Sequence, residues 1–218
     1  MNVKTIILFL SFIFPSIIFA QNSNSPLNTN KKYEPVEPHN KWGLGVSYTE
    51  QGIGIRSGLY FKLSNSTNLD LNISISGVAD SREFEEYDIF GNSRIRNKEN
   101  RIYMIPLSIG IQHYLFADEL DDSFRPYLKS GIAPTLVLTN PYSRGFFNAL
   151  GYMQPAFAIG PYAGVGLQFK QSNSIGFNFG ISYYYLPLVG KKVNSLYDQP
   201  IKDVGGLQFQ FGVDFLGR

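Results

Sequence analysis

The chain has 218 residues, with 19 Lys and Arg against 17 Asp and Glu, a formal charge of +2, and no cysteine. Near-neutrality offers no electrostatic reason to expect nucleic acid as a partner, and the lack of cysteine excludes disulfides, thiol nucleophiles and cysteine-ligated zinc. Aromatic residues and glycine are both abundant, and nothing after residue 20 is long and apolar enough for a spanning helix, so an all-β chain is expected.

Lys4 precedes an apolar run, Thr5–Phe19, that ends at Ala20 before the polar Gln21-Asn22-Ser23. This order predicts a signal peptide over residues 1–20, cleaved after Ala20. No cysteine follows the run, so a lipoprotein anchor is excluded. Cleavage leaves 18 basic against 17 acidic residues. Residues 21–40, rich in Asn, Ser and Pro and carrying two Glu-Pro pairs, have no apolar face to bury and are expected to form a flexible periplasmic lead-in.

From residue 41 onward the chain repeats one pattern: apolar residues at every second position, broken by turn-like segments. A period of two is the signature of a strand, whose successive side chains point to opposite faces. In the first strand Trp42, Leu44, Val46 and Tyr48 alternate with small residues. The second sets Ile53, Ile55, Leu59 and Phe61 against Gly54, Arg56, Gly58, Tyr60 and Lys62. The third is the most regular: Leu69, Leu71, Ile73 and Ile75 oppose Asp70, Asn72, Ser74 and Ser76. In the fourth, Ile105, Leu107, Ile109 and Ile111 oppose Met104, Ser108, Gly110, Gln112 and Tyr114. The fifth sets Leu128, Ile132 and Leu136 against Tyr127, Lys129, Gly131 and Thr135. In the sixth, Val165, Leu167 and Phe169 oppose Tyr162, Gly164, Gly166 and Gln168. The seventh has Phe177, Phe179 and Ile181 against Asn178, Gly180 and Ser182. The last has Phe209, Phe211 and Val213 against Gln208, Gln210, Gly212 and Asp214. Pro106, Pro126, Pro134 and Pro161 fall within these segments, where edges or bulges are expected.

A soluble sandwich would bury the apolar face; a membrane barrel turns it toward lipid and keeps the polar set in the lumen. The polar face is crowded with Gly, Ser, Gln, Asn and Tyr and has few charges, which makes a poor soluble surface and suits a narrow lumen. The strands are also long for a globular sheet and match a tilted span. Three links are long, Asp80–Asn100, Asn140–Pro155 and Pro187–Val204, and all lie on one side if both chain ends are periplasmic. The expected fold is therefore an eight-stranded antiparallel up-and-down transmembrane β-barrel with a polar, side-chain-filled lumen over residues 41–218.

The stretches Ile105–Phe116 (IPLSIGIQHYLF) and Arg125–Pro134 (RPYLKSGIAP), with the aromatic closing strand, resemble the small outer-membrane β-barrel domains of Bacteroidota that include PorT-like proteins. More distantly the arrangement is similar to the transmembrane barrel of OmpA. The resemblance implies a Gram-negative outer-membrane location, assembly by the barrel-assembly machinery, and, as in some PorT-like proteins, an accessory role in secretion. Gln210, Gly212 and Phe215 resemble the assembly signal, whereas the chain ends Leu216-Gly217-Arg218 rather than on an aromatic.

The sequence offers little catalytic chemistry. His39 falls in the lead-in and His113 on the lipid-side parity near the periplasmic end, so they do not make a zinc pair. Enzymes that trim lipid A resemble this barrel in size, but neither histidine has a serine two residues away on its own face. The acidic run Asp118–Asp122 lacks the ligand spacing and bend glycine of a calcium loop. No catalytic residue, cofactor or metal is assigned. Arg56, Lys62, Asp70, Gln112, Lys129, Gln168, Gln208, Gln210 and Asp214 are expected to form a lumenal polar network that leaves no aqueous pore. Leu69, Leu71, Ile73, Ile75, Ile109, Phe177, Phe179, Phe209 and Phe211 are expected to face lipid. On that assignment Ile73→Arg is costly and Asn72→Ser nearly neutral.

Partners are expected at the outer loops. In Asp80–Asn100 an acidic arm (Glu83, Glu85, Glu86, Asp88) precedes Phe90-Gly91-Asn92 and a basic arm (Arg94, Arg96, Lys98), predicting a hairpin that extends past the membrane. Asn140–Pro155 is unusually apolar; Tyr142, Phe146, Phe147 and Tyr152 suit contact with lipopolysaccharide, closure of the barrel mouth, or a cell-envelope protein partner. The function read from sequence is a monomeric, non-catalytic structural or interaction protein of the outer membrane. A narrow pore and a lipid-modifying enzyme are the alternatives.

Overall fold

The computed structural model describes residues 40–49, 52–80, 82–91, 93–117, 123–172 and 174–216. The expected signal peptide, most of the expected lead-in with His39, the acidic run 118–122 and residues 217–218 lie outside the described residues.

The strands are β1 (Lys41–Thr49), β2 (Gly52–Lys62), β3 (Thr67–Val78), β4 (Glu85–Tyr87), β5 (Ser93–Ile95), β6 (Asn100–Tyr114), β7 (Phe124–Ile132) and β8 (Thr135–Pro141). A short helix α1 (Phe146–Ala149) and a 3-10 turn (Leu150–Tyr152) follow. Then come β9 (Gln154–Ala158), β10 (Pro161–Lys170), β11 (Ile175–Tyr184), β12 (Leu188–Val189), β13 (Val193–Leu196), β14 (Gln199–Ile201) and β15 (Gly206–Leu216). All pairings are antiparallel. The main sheet closes on itself where β1 meets β15, from Lys41 opposite Leu216 to Thr49 opposite Gln208.

Eight physical strands make the ring because three of them are interrupted without a change of register. Both β7 and β8 continue one ladder on β6, and both β9 and β10 continue one ladder on β8 and β7. Likewise β11 and β12 share the register of β10 and β9. The interruptions carry Pro134, Ile159-Gly160 and Pro187, side by side on adjacent strands. A proline removes one ladder donor. The neighbouring groups still pair across the gap, Leu107 N to Pro134 O at 2.9 Å and Ala133 N to Gly160 O at 2.8 Å. Pro106 and Pro126 sit inside β6 and β7 and break neither.

The strand ends joined by the short links after β2, β6 and β10 lie at the end bearing Lys41 and Leu216, and those joined by the long links lie at the other. Inner positions explain the glycine content. A Cβ on Gly166 would collide with the Tyr127 ring, and one on Gly110 with the Tyr162 hydroxyl. Glycine is thus what lets tyrosine rings lie flat against the inner wall of a narrow barrel. Outside, aromatics gather toward both rims: Trp42 stacks on Phe215 at 4.4 Å near the short-turn end, and Tyr48, Tyr183 and Tyr185 are exposed toward the long-loop end.

The inside is filled by side chains in two tiers, only one of which is polar. Its long-loop end is a dry apolar core of Val78, Ile102, Met104, Val137, Leu186, Val193 and Val204. Val193 comes from the β13–β14 hairpin. Where loops fold over the barrel mouth, inward side chains meet protein instead of water, and hydrophobic burial then favours aliphatic residues as in a soluble core.

Candidate functional site

Below that apolar tier the inward positions of β1, β2, β3, β6, β7, β10, β11 and β15 converge on a charged network. Arg56, on β2, donates to Gln210 Oε1 at 2.7 Å, Tyr60 OH at 2.8 Å and Asn72 Oδ1 at 2.6 Å. The Asn72 amide in turn donates to Asp70. Lys129 Nζ donates to Gln210 Oε1 at 2.7 Å, and Gln210 Nε2 to Gln208 Oε1 at 2.9 Å. Nearer the short-turn end, Lys41 lies 3.8 Å from Asp214, donates to Gln168 Oε1 at 2.7 Å and to the Tyr114 hydroxyl, and sits over the Tyr60 ring. Asp214 also accepts from Gln168 at 3.1 Å and from Asn178. Asp70 and Asp214 are each 1 % exposed. Buried carboxylates of this kind persist only when cations and hydrogen bonds replace their hydration.

Of the residues named from sequence, Arg56, Asp70, Lys129, Gln168, Gln208, Gln210 and Asp214 meet in this network. Gln112 is buried on the same inner face. Lys62 is not in it. The strand ends there, so Lys62 sits half-exposed at the rim, its backbone N–H bonded to Asn40. Lys41, Tyr60, Tyr114, Asn72 and Asn178 complete the network. Parity on their strands places all five inward; Lys41 simply precedes the first clearly alternating residue. Asn72 consequently matters more than its exchangeable chemistry suggests. Asn72→Ser removes a link between Arg56 and Asp70, and is expected to cost roughly 1–3 kcal/mol in a chemical denaturation series, rather than being neutral.

On the outer wall, Leu69, Leu71, Ile73, Ile75, Ile109, Phe177, Phe179, Phe209 and Phe211 all take the outward parity, half-buried or exposed. Phe179 and Phe211 touch at 4.8 Å. His113 also points outward, near the short-turn end, within 2.9 Å of Thr67 Oγ1.

The described parts of the long loops carry secondary structure of their own. In the first, β4 and β5 form the expected hairpin, with Glu86 opposite Arg94, Arg96 3.8 Å from Glu86, and Gly91 in the left-handed region at the turn. At its root Glu83 takes Lys98 at 2.6 Å and the Ser195 hydroxyl, which locks this loop to the β13–β14 hairpin. Nearby, Asp80 accepts Arg82 Nε at 2.8 Å, and the guanidinium holds the Asp80 carboxyl below the ordinary carboxylate range. A depressed pKa gives stability that is complete above the unfolded value, about pH 4, and lost as the pH falls through the folded one. Amide protection at Arg82 and Glu83 is therefore expected to be flat from pH 8 to 5 and to drop below about pH 4. In the second long loop, Tyr142 lies between Lys98 and Arg101, 5.4 and 4.7 Å from its centroid, and Arg144 covers Tyr152 at 3.8 Å. Phe146 meets Phe147 edge-on at 5.3 Å, and Phe147 is left 82 % exposed.

A closed antiparallel barrel with apolar side chains around its outside and charges sealed within inverts the arrangement of a soluble protein and defines a transmembrane β-barrel. No protein-family model matches the sequence, and no curated protein matches it. Among solved structures the chain is similar to neisserial surface protein A, at 12% identity over 82% of this chain and 95% of that one, with a TM-score of 0.50. It also matches the N-terminal barrel domain of Pseudomonas aeruginosa OprF (10% identity, 82% and 97% covered, TM-score 0.47). The third is Ail, the attachment invasion locus protein of Yersinia pestis (9% identity, 82% and 98% covered, TM-score 0.43). At 12% identity the likeness to neisserial surface protein A establishes the fold alone, that of the eight-stranded outer-membrane barrels.

Proposed function

We propose that this protein resides in a Gram-negative outer membrane, long loops outward, and acts there as a non-catalytic interaction protein through those loops. The carrying observation is the placement of its exposed apolar side chains beyond the barrel wall. Ile89 and Phe90 at the tip of the first hairpin are 93% and 82% exposed, and Phe147 heads the second loop. Exposed aromatics on ordered loops mark contact surfaces. In this reading the outward wall meets lipid, lipopolysaccharide surrounds the loop bases, and the loop tips take a cell-envelope protein partner. Export by the residue 1–20 signal, assembly through Gln210, Gly212 and Phe215, and the resemblance to PorT-like barrels of Bacteroidota all fit it, the last favouring a secretion-accessory role. Double replacement of Phe90 and Phe147 by serine is expected to at least halve recovery of a co-purifying envelope protein while the barrel still folds. Unchanged recovery would sink the reading.

The filled lumen speaks against the pore alternative. Planar bilayers holding the purified monomer are expected to show no steady large conductance, and a stable large channel would overturn the sealed interior.

A further inference from the structure

Between the second and third long loops lies a polar cleft of about 220 Å³. Its lining includes Lys191, Lys192, Glu99, Tyr152, Gln154 and Asn194. Backbone bonds hold its three segments together: Glu99 N to Ser195 O at 2.7 Å, and Tyr142 N to Glu99 O at 2.9 Å. Arg101 steadies the rim by donating to Arg144 O at 3.1 Å, and Arg144 itself is stacked on Tyr152. The cleft is thus built before any ligand arrives.

Its chemistry is mixed in an informative way. Among the described residues no carboxylate stands within ion-pair distance of the two cations of its lining, Lys191 and Lys192. Lys191 is engaged only with a neutral acceptor, Gln154 Oε1, at 2.6 Å. These cations call for an anion. Glu99 works the other way: its carboxylate, held by Asn194 at 3.4 Å, repels a bare anion and accepts from hydroxyls. Asn194 and Gln154 add paired donors and acceptors, and Tyr152 adds an aromatic face. One ligand class satisfies all of them.

We propose that this cleft binds a sugar residue bearing one phosphate or carboxylate, the anion toward Lys191 and Lys192 and the ring hydroxyls toward Glu99, Asn194 and Gln154. The inference rests on the outward-facing loop reading above and names a ligand for it. Such a sugar can come from the headgroup of a neighbouring glycolipid or from a soluble glycan.

The test uses the full mature chain in phosphatidylcholine nanodiscs, titrated with glucose 6-phosphate and glucuronate, with glucose and inorganic phosphate as controls. The charged sugars are expected to bind at least tenfold more tightly than either control. The Lys191→Gln/Lys192→Gln double variant is expected to lose at least tenfold of that binding, and Glu99→Gln to narrow the preference for sugar over phosphate. Heat-modified gel mobility checks that each variant is folded; if the double variant does not fold, Lys192→Gln alone is read by the same criterion. Nanodiscs containing lipopolysaccharide separate the sources: blocked probe binding assigns the cleft to the glycolipid, and unblocked binding to a soluble glycan. Glucose or phosphate binding as tightly as the charged sugars, or folded lysine variants without effect, would overturn the proposal. Phe90 and Phe147 do not line the cleft, so the interaction reading can survive that failure, or fall while sugar binding stands.

Discussion

Replacing Arg56 with leucine is expected to destabilise the barrel by roughly 3–5 kcal/mol, the usual range for removing one partner from a buried ionic network. The guanidinium serves three acceptors on three strands, Tyr60, Asn72 and Gln210. Without it Tyr60 and Asn72 lose a donor in a buried site, Gln210 is left with Lys129, and Asp70 loses a nearby cation. The urea midpoint of the protein refolded in detergent micelles measures the effect. Arg56→Lys keeps the charge but not the three-way geometry, and should recover part of it. Arg56→Leu combined with Asp70→Leu removes both signs together and is expected to be less harmful than Arg56→Leu alone. A loss below about 1 kcal/mol for Arg56→Leu would mean that the network is solvated.

Ile73→Arg is the second large effect. Ile73 sits mid-strand on β3, opposite Ser57 and Leu107, with its side chain outward. A guanidinium there must enter hydrocarbon, snorkel or thin the bilayer, and the expected cost is roughly 2–4 kcal/mol in lipid vesicles. Ile89→Arg is the matched control: the same substitution at the hairpin tip is expected to change stability by no more than about 0.5 kcal/mol. Similar losses at both positions would contradict an outer wall immersed in lipid.

Much of the architecture is legible in the residues because strand parity is a local property. Leu69 to Ser76 state their two faces without reference to anything else in the chain. The long links likewise announce which end carries elaboration, and the acidic and basic arms of the first one anticipate the pairing of β4 with β5. Three features are not legible in this way. Val78, Ile102 and Met104 share the inward parity of the polar residues, yet line an apolar core. Only the fold of the β13–β14 hairpin across the barrel mouth decides whether those positions meet water. Lys62 has lumenal parity but stands at the rim, since parity does not say how far a strand runs. The cleft at Lys191 and Lys192 draws on segments some ninety residues apart, and no local pattern announces it.

The alternation of side chains along each segment, with glycine on one face and bulky apolar residues on the other, determined by itself that this chain would form strands with one greasy and one polar face. Tertiary structure alone decided the register in which β1 closes on β15, the division of the interior into apolar and charged tiers, and which ions meet. Periodicity is set by backbone geometry between neighbours, whereas desolvation and ion pairing depend on groups that become neighbours only once the ring has closed.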